Sequence, residues 1–497
     1  MFRRFWMGAG SALWALFLGA CFSSVSDVGS KAVEDRPGKR SDSDGGVASR
    51  GSAAEGGLGS RAIAGGRLDA GGRGDPPTVR PAVGDAGGSE ELDSVCSRQG
   101  EVATIDKLDL LLVVDDSFSM QEEQEALRRE LPALIRTLAT GVRRDGSTFP
   151  PAKDLHLAVV STDMGLPRVN GIMRCDGLGD DGRMIDQPRT SDERCQTEAN
   201  PSPFLSYREG DISPDQVAME LGCIAALGTE GCGYEQQLEA GLKALWPAVD
   251  IDPTTGQQWV DPNTGAPSNR IQFLGDGTGF GTTGHGDGVN AGFLRKDPKD
   301  GLSLLAIVVV TDEDDCSSVT TGHFVPSRNL PPGSPYEDQG QNLRCFLNPL
   351  NLYSVHRYVE GFKALRPGYE QLVVFAAIAG VPPDLVAPNA LGKVDFADAD
   401  DRDAFYTRIL DDPRMEERVD PTSLEDGNVD TDYLMPSCEG DGSATSRAFP
   451  PRRIVEVAKG FGENGIVQSI CQENFELALG AITNVISRGL DRHCGPM

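Results

Sequence analysis

The chain lacks an excess of basic charge. Its 497 residues hold 46 Lys+Arg against 75 Asp+Glu, a net charge of −29. Residues 1–95 are nearly neutral, at −1, so almost all of the deficit falls on the remainder. A region this acidic is repelled by nucleic acid and by anionic lipid, which excludes both as binding partners, and it suits cations or basic partners. Catalytic signatures are also missing. There is no G-x-S-x-G, no H-E-x-x-H and no P-loop. The five histidines, His156, His285, His323, His356 and His493, are scattered without ligand spacing. No C-x-x-C pair occurs, which removes zinc ribbons and thioredoxin-type chemistry. No internal repeat at fixed spacing stands out. The longest N-terminal apolar run, Phe5 to Leu18, has 14 residues, short of the roughly 20 that span a membrane as a helix.

That run follows Arg3-Arg4 and ends in Leu18-Gly19-Ala20-Cys21, the layout of an export leader. It resembles the bacterial lipobox. The resemblance implies that residues 1–20 are a lipoprotein signal peptide and that Cys21 becomes the acylated N-terminus. Phe22, where an Asp would retain the protein at the inner membrane, implies the outer membrane. The expectation is a lipid-anchored protein of the cell envelope. Residues 21–100 are rich in Gly, Ser, Ala and Asp with few large apolar residues. Such a segment buries too little surface to offset chain entropy, so it reads as a disordered tether.

Eleven cysteines are present. With Cys21 set aside, an even ten remain, which in an exported chain suggests five disulfides. Pairing sequence neighbours gives Cys175–Cys195, Cys223–Cys232, Cys316–Cys345 and Cys438–Cys471, leaving Cys96 with Cys494 to bracket the folded region. Spacing alone leaves the other connectivities open.

Residues 101–497 alternate strand-like and helix-like segments. Leu108–Val114, Leu155–Ser161, Leu302–Val310, Leu372–Ala379 and Gly465–Ile470 read as strands. Gln121–Leu138, Tyr234–Leu245, Leu352–Leu365, Arg453–Lys459 and Asn474–Ile486 read as helices. The run "LSLLAIVVV" shows no polar alternation, as a central parallel strand should. The predicted fold is α/β: a doubly wound, mainly parallel sheet flanked by helices. Polar insertions at about 163–222, 247–300, 317–348 and 381–450 decorate this one domain.

The stretch "LDLLLVVDDSFSM" carries the chemistry. Asp115, Ser117 and Ser119 form D-x-S-x-S directly after a buried strand. In open α/β sheets ligands bind at the carboxyl ends of strands. A carboxylate and two hydroxyls within one turn can converge on a hard cation such as Mg²⁺, which takes oxygen ligands and keeps several waters. The competing reading is a helix cap. A second aspartate, Asp312 in "VVVTDEDDCS", follows a second apolar strand and favours the cation.

This pattern resembles the metal-ion-dependent adhesion site of the von Willebrand factor A family, over about Lys107 to Leu490. The resemblance implies that Asp115, Ser117 and Ser119 ligate Mg²⁺, or Ca²⁺ or Mn²⁺, and that Asp312 acts through water. The family's threonine corresponds to Thr229 in "GTEGCGYEQQL", three residues earlier than usual, with Cys232 at the usual offset and Glu235 a further oxygen donor. The implied function is a non-enzymatic binding module whose ion takes a carboxylate from a protein partner. Two other readings stand beside it: a structural envelope protein with a vestigial site, and a metal-dependent hydrolase with Asp115 as nucleophile. The haloacid dehalogenase-like family wants D-x-D, and Ser117 at the third position argues against the hydrolase. Asp163, Glu313, Asp314 and Asp315 are candidates for the rim. Asp176, Asp180, Asp181, Asp186, Asp250 and Asp252 read as surface turns.

Overall fold

A computed structural model describes residues 105–491 except 191, 196–201, 296–302, 441–446 and 473. All of these lie in one compact unit, Ala82–Met497. Cys21, the leader, the whole tether, and the Cys96 and Cys494 pair fall outside the described residues.

The strands of the main sheet are β1 (Lys107–Val114), β2 (Asp154–Ser161), β3 (Leu205–Arg208), β4 (Ser303–Val310), β5 (Val373–Ala379) and β6 (Gly465–Ser469). They make one six-stranded sheet in the order β3-β2-β1-β4-β5-β6, parallel throughout except for β3, which runs antiparallel along β2. Every residue of β4 and β5 is buried, because continuous apolar side chains require cover on both faces. Leu110, Leu112 and Val114 of β1 pack in one core and Leu111 and Val113 in the other, the two-residue period of a strand.

Among the described residues, seven helices of nine residues or more supply that cover. On the first face lie α1 (Gln121–Thr140), α2 (Pro214–Ala225) and, last in the chain, α7 (Glu476–Leu490). On the second lie α3 (Gln237–Leu245), α4 (Val355–Lys363), α5 (Ala399–Leu410) and α6 (Arg452–Gly460). The doubly wound expectation is thus met. Among the described residues no helix is long and apolar enough to cross a membrane.

Boundaries shift where local bonds override periodicity. Tyr234 and Glu235 stay outside α3, with the Tyr234 hydroxyl donating to the Gln341 carbonyl at 3.0 Å. Ser354 caps α4, its hydroxyl accepting from the His356 amide, so that helix begins at Val355 and not at Leu352. Two insertions also hold regular structure that apolar periodicity did not signal. The first contains β3 and α2, and the last contains α5. A short repeat appears within the second. Asp252-Pro253-Thr254-Thr255-Gly256 and Asp261-Pro262-Asn263-Thr264-Gly265 build the same turn, each aspartate accepting from the amide two residues on at 2.7 Å. The repeat lies nine residues apart and corrects the expectation of none.

Cys316–Cys345 and Cys438–Cys471 pair as expected, but Cys175 bonds Cys232 and Cys195 bonds Cys223. Neighbour pairing fails because β3 and α2 fold the insertion back across β2. This brings Cys223, at the end of α2, to Cys195 and leaves Cys232 for Cys175. Mass spectrometry of unreduced proteolytic peptides should recover Cys175 linked to Cys232; a Cys175–Cys195 peptide would contradict the topology of this insertion.

The opposite end of β1 holds a buried ion cluster. Asp109 is fully buried and accepts from Arg295 Nε at 2.7 Å, Arg366 Nη2 at 2.9 Å and the Ser303 hydroxyl at 2.8 Å. The acids of the inserts are engaged in similar ways. Asp180 pairs with Arg189 at 2.7 Å, Asp181 with Lys243 and His285, and Asp250 with Arg270 at 2.7 Å.

Candidate metal centre

Strand register assembles the site. Val114 stands opposite Ser161 on one side and Val310 on the other. The next residues, Asp115, Thr162 and Thr311, therefore emerge together from the carboxyl ends of β1, β2 and β4. The chain winds outward in one direction through β2 and in the other through β4, so this end of β1 is the switch point at which doubly wound sheets bind ligands.

Asp115 is fully buried. Its Oδ1 accepts the Ser117 amide at 2.8 Å and its Oδ2 accepts the Thr311 hydroxyl at 2.6 Å. Gln237 Nε2 donates to the same hydroxyl at 2.8 Å, fixing its proton toward Asp115. The Ser117 and Ser119 hydroxyls lie 3.3 Å apart. Ser117 stands at the N-cap of the 3₁₀ turn Phe118–Met120 but its side chain makes no cap bond. Ser117 therefore does not cap this turn, and its hydroxyl faces Ser119 and Asp115.

Asp312 is buried and, among the described residues, its Oδ1 has no hydrogen-bond partner. Burial first, then the Asp115 charge, pushes its carboxyl well above the usual range. Ser119 stands close enough to offset part of that rise. Burial likewise raises Asp115. Glu235 is raised well above its ordinary value by burial and by Glu313, and Glu313 goes up to about 7 by burial and by Asp115. Asp116, beside them, reaches about 8 through burial and the Asp163 charge, and its Oδ1 is also unpartnered. Several acids thus share a low-dielectric space in which each disfavours the ionisation of the next.

Thr229 is not drawn in. Its carbonyl accepts from Arg174 at 2.9 Å, and among the described residues no hydrogen bond joins its hydroxyl to Asp115 or Asp312. Its loop is nevertheless close. Gln124 bridges the Asp115 carbonyl and both backbone groups of Gly228. The Gly231 amide donates to the Asp116 carbonyl at 2.9 Å. A Cβ on Gly231 would fall 2.2 Å from Asp116 Oδ1, so only glycine allows this approach. Thr162 takes the place beside Asp115. It is fully buried, lies near enough to lower the Asp115 pKa, and its hydroxyl makes no well-aligned hydrogen bond. Its sequence signal was visible: "STD" ends β2 as "VTD" ends β4.

The rim acids divide by role. Asp315 accepts the Leu238 amide at 2.9 Å, capping α3 from another loop, and pairs with Arg453 at 3.1 Å. Asp314 accepts the Arg453 amide. Asp163 accepts the Gly165 amide at 2.8 Å. These three are structural, while Glu313 and Glu235 face the Asp115 site. Among the described residues, the one set of three acid, histidine or cysteine ligand atoms within 4.8 Å of one another is Cys316, His323 and Cys345. The carboxylates around Asp115 are spread wider, so an ion there would draw on hydroxyls and water as well. Comparison with known proteins gives no match: no family model, no curated protein and no solved structure matches this chain.

Proposed function

We propose that Asp115, Ser117 and Ser119, with Asp312 through water, hold one hard divalent cation, Mg²⁺ or alternatively Ca²⁺ or Mn²⁺, in the manner of a von Willebrand factor A adhesion site. The observation that carries this reading is the Asp312 carboxylate, buried with an unpartnered oxygen close to the buried Asp115. Such a pair is costly alone, and a dication turns the repulsion into attraction. The donors are all oxygen, as a hard ion requires. Bound there, the ion would supply a positive charge with open positions for a partner's carboxylate. Phe118, 71% exposed between the two serines, would give that partner an apolar contact. Thr162 replaces Thr229 as the hydroxyl donor from a neighbouring strand. Thr162→Val should lower Mg²⁺ affinity while Thr229→Ala leaves it unchanged; titration calorimetry showing the reverse would restore Thr229.

With the leader and tether, the protein is a lipid-anchored envelope protein, of the outer membrane, that binds a protein ligand and is not an enzyme. The test is capture of a partner from envelope extract. The partner should stay with Mg²⁺ and leave with chelator. Retention in chelator favours the second reading, a structural envelope protein with a vestigial site, for which the detached Thr229 hydroxyl speaks.

A further inference from the structure

We propose that Cys316, Cys345 and His323 are a redox-gated site for a thiophilic cation of the Zn²⁺ class. Oxidised, the two sulfurs form a disulfide. Reduced, they become two soft ligands beside an imidazole, all three ligand atoms within 4.8 Å of one another. Two sulfurs and one nitrogen with a fourth position left for water make a Zn²⁺ site of the open type. This inference is independent of the Asp115 reading, which concerns a hard ion and oxygen donors.

The imidazole carries the inference. His323 is fully buried, its ring 4.0 Å from that of Phe324. One ring nitrogen, Nε2, lies 3.2 Å from the Ser318 hydroxyl; the other, Nδ1, is buried with no hydrogen-bond partner among the described residues. A buried polar atom without a partner calls for an explanation. A neutral imidazole held by a hydroxyl at one nitrogen offers its second nitrogen as a ligand, the arrangement in which an outer partner sets the tautomer. The Arg344 guanidinium, next to Cys345 in sequence, donates to the His323 carbonyl at 3.0 Å.

Access is one-sided. Cys316 is buried and Cys345 half-buried, so a dithiol reductant meets Cys345 first. One reductant thiolate attacks the Cys345 sulfur, the bond between the sulfurs breaks, and Cys316 leaves as thiolate. The second reductant thiol then displaces Cys345, and the reductant departs as its own disulfide. Two electrons and two protons have entered the protein. Binding the cation releases the thiol protons to water. The consequence reaches the neighbouring loop, because the Cys316 amide donates to the Glu235 carbonyl at 2.9 Å and the Ser317 hydroxyl accepts the Glu239 amide of α3.

The probe is Co²⁺ added to the full chain after phosphine reduction and anaerobic removal of the reductant. The reduced wild type should show a thiolate-to-cobalt absorption band that saturates at one ion per chain, and the oxidised protein none. His323→Gln should weaken Co²⁺ binding by at least about tenfold. The pair Cys316→Ser/Cys345→Ser should abolish the band, and Cys438→Ser/Cys471→Ser should leave it. If His323→Gln fails to fold, Zn²⁺ protection of Cys316 and Cys345 from alkylation in the reduced wild type carries the test. No band in the reduced wild type overturns the proposal, as does a band surviving Cys316→Ser/Cys345→Ser, full affinity in folded His323→Gln, or alkylation unaffected by Zn²⁺.

Discussion

Asp115→Ala should abolish the rise in melting temperature that saturating Mg²⁺ gives the wild type. An ion that binds only the folded chain stabilises it by mass action, about 2.7 kcal/mol at a hundredfold excess over Kd. In a domain this large that is a shift of a few degrees. Alanine removes the carboxylate between Thr311 and Ser117, and with it the only acid of D-x-S-x-S that follows the strand directly. Asp115→Asn separates charge from shape. It keeps an acceptor for Thr311 yet relieves the repulsion with Asp312 that pushes the Asp312 carboxyl up. In chelator it should melt at or above the wild type, and Mg²⁺ should add nothing. A full Mg²⁺ increment in either variant would remove Asp115 from the ion's ligands. Thermal scans with and without chelator suffice.

Asp109→Ala should be the most damaging single change in β1 and yet leave the Mg²⁺ increment intact. Asp109 is fully buried, and it binds both Arg295 and Arg366, whose side chains are themselves 9% and 5% exposed. Removing it leaves Arg366 in the interior without a carboxylate among the described residues, and leaves Arg295 with Asp154 alone, at 2.6 Å. Breaking a buried pair in this way costs about 3–5 kcal/mol, and Ser303 loses the nearer of its two acceptors as well. Urea unfolding should show the loss. The cluster lies at the start of β1 and Asp115 just past its end, so the two effects should add. A loss below about 1 kcal/mol would mean that water reaches the cluster and screens it.

The sheet was legible because its strands are buried on both faces. Runs such as "SLLAIVVV" have no other soluble explanation, and their spacing with helices leaves few topologies. The edge was not legible. β3 alternates buried and exposed residues over four positions, "LSYR", too short to register among the polar residues of its insertion. Asp115, Ser117, Ser119 and Asp312 could be read because each follows a strong strand within a few residues. Thr162 and Thr311 do so too, but a threonine after a strand is common, and only parallel register shows that both flank Asp115. Thr229 was placed by sequence offset from α3, and that helix begins later than its periodicity suggests because Tyr234 is tied to the 341 segment. Disulfide partners depended on how an insertion folds back, information that lies in β3 and α2 and not in cysteine spacing.

Equilibrium dialysis of the full chain against Mn²⁺, with bound ion counted by its paramagnetic resonance, tests the central claim most directly. One Mn²⁺ per wild-type chain is expected, displaced by excess Mg²⁺, and none in Asp115→Ala. No bound ion in the wild type, or the same stoichiometry in Asp115→Ala, would contradict it.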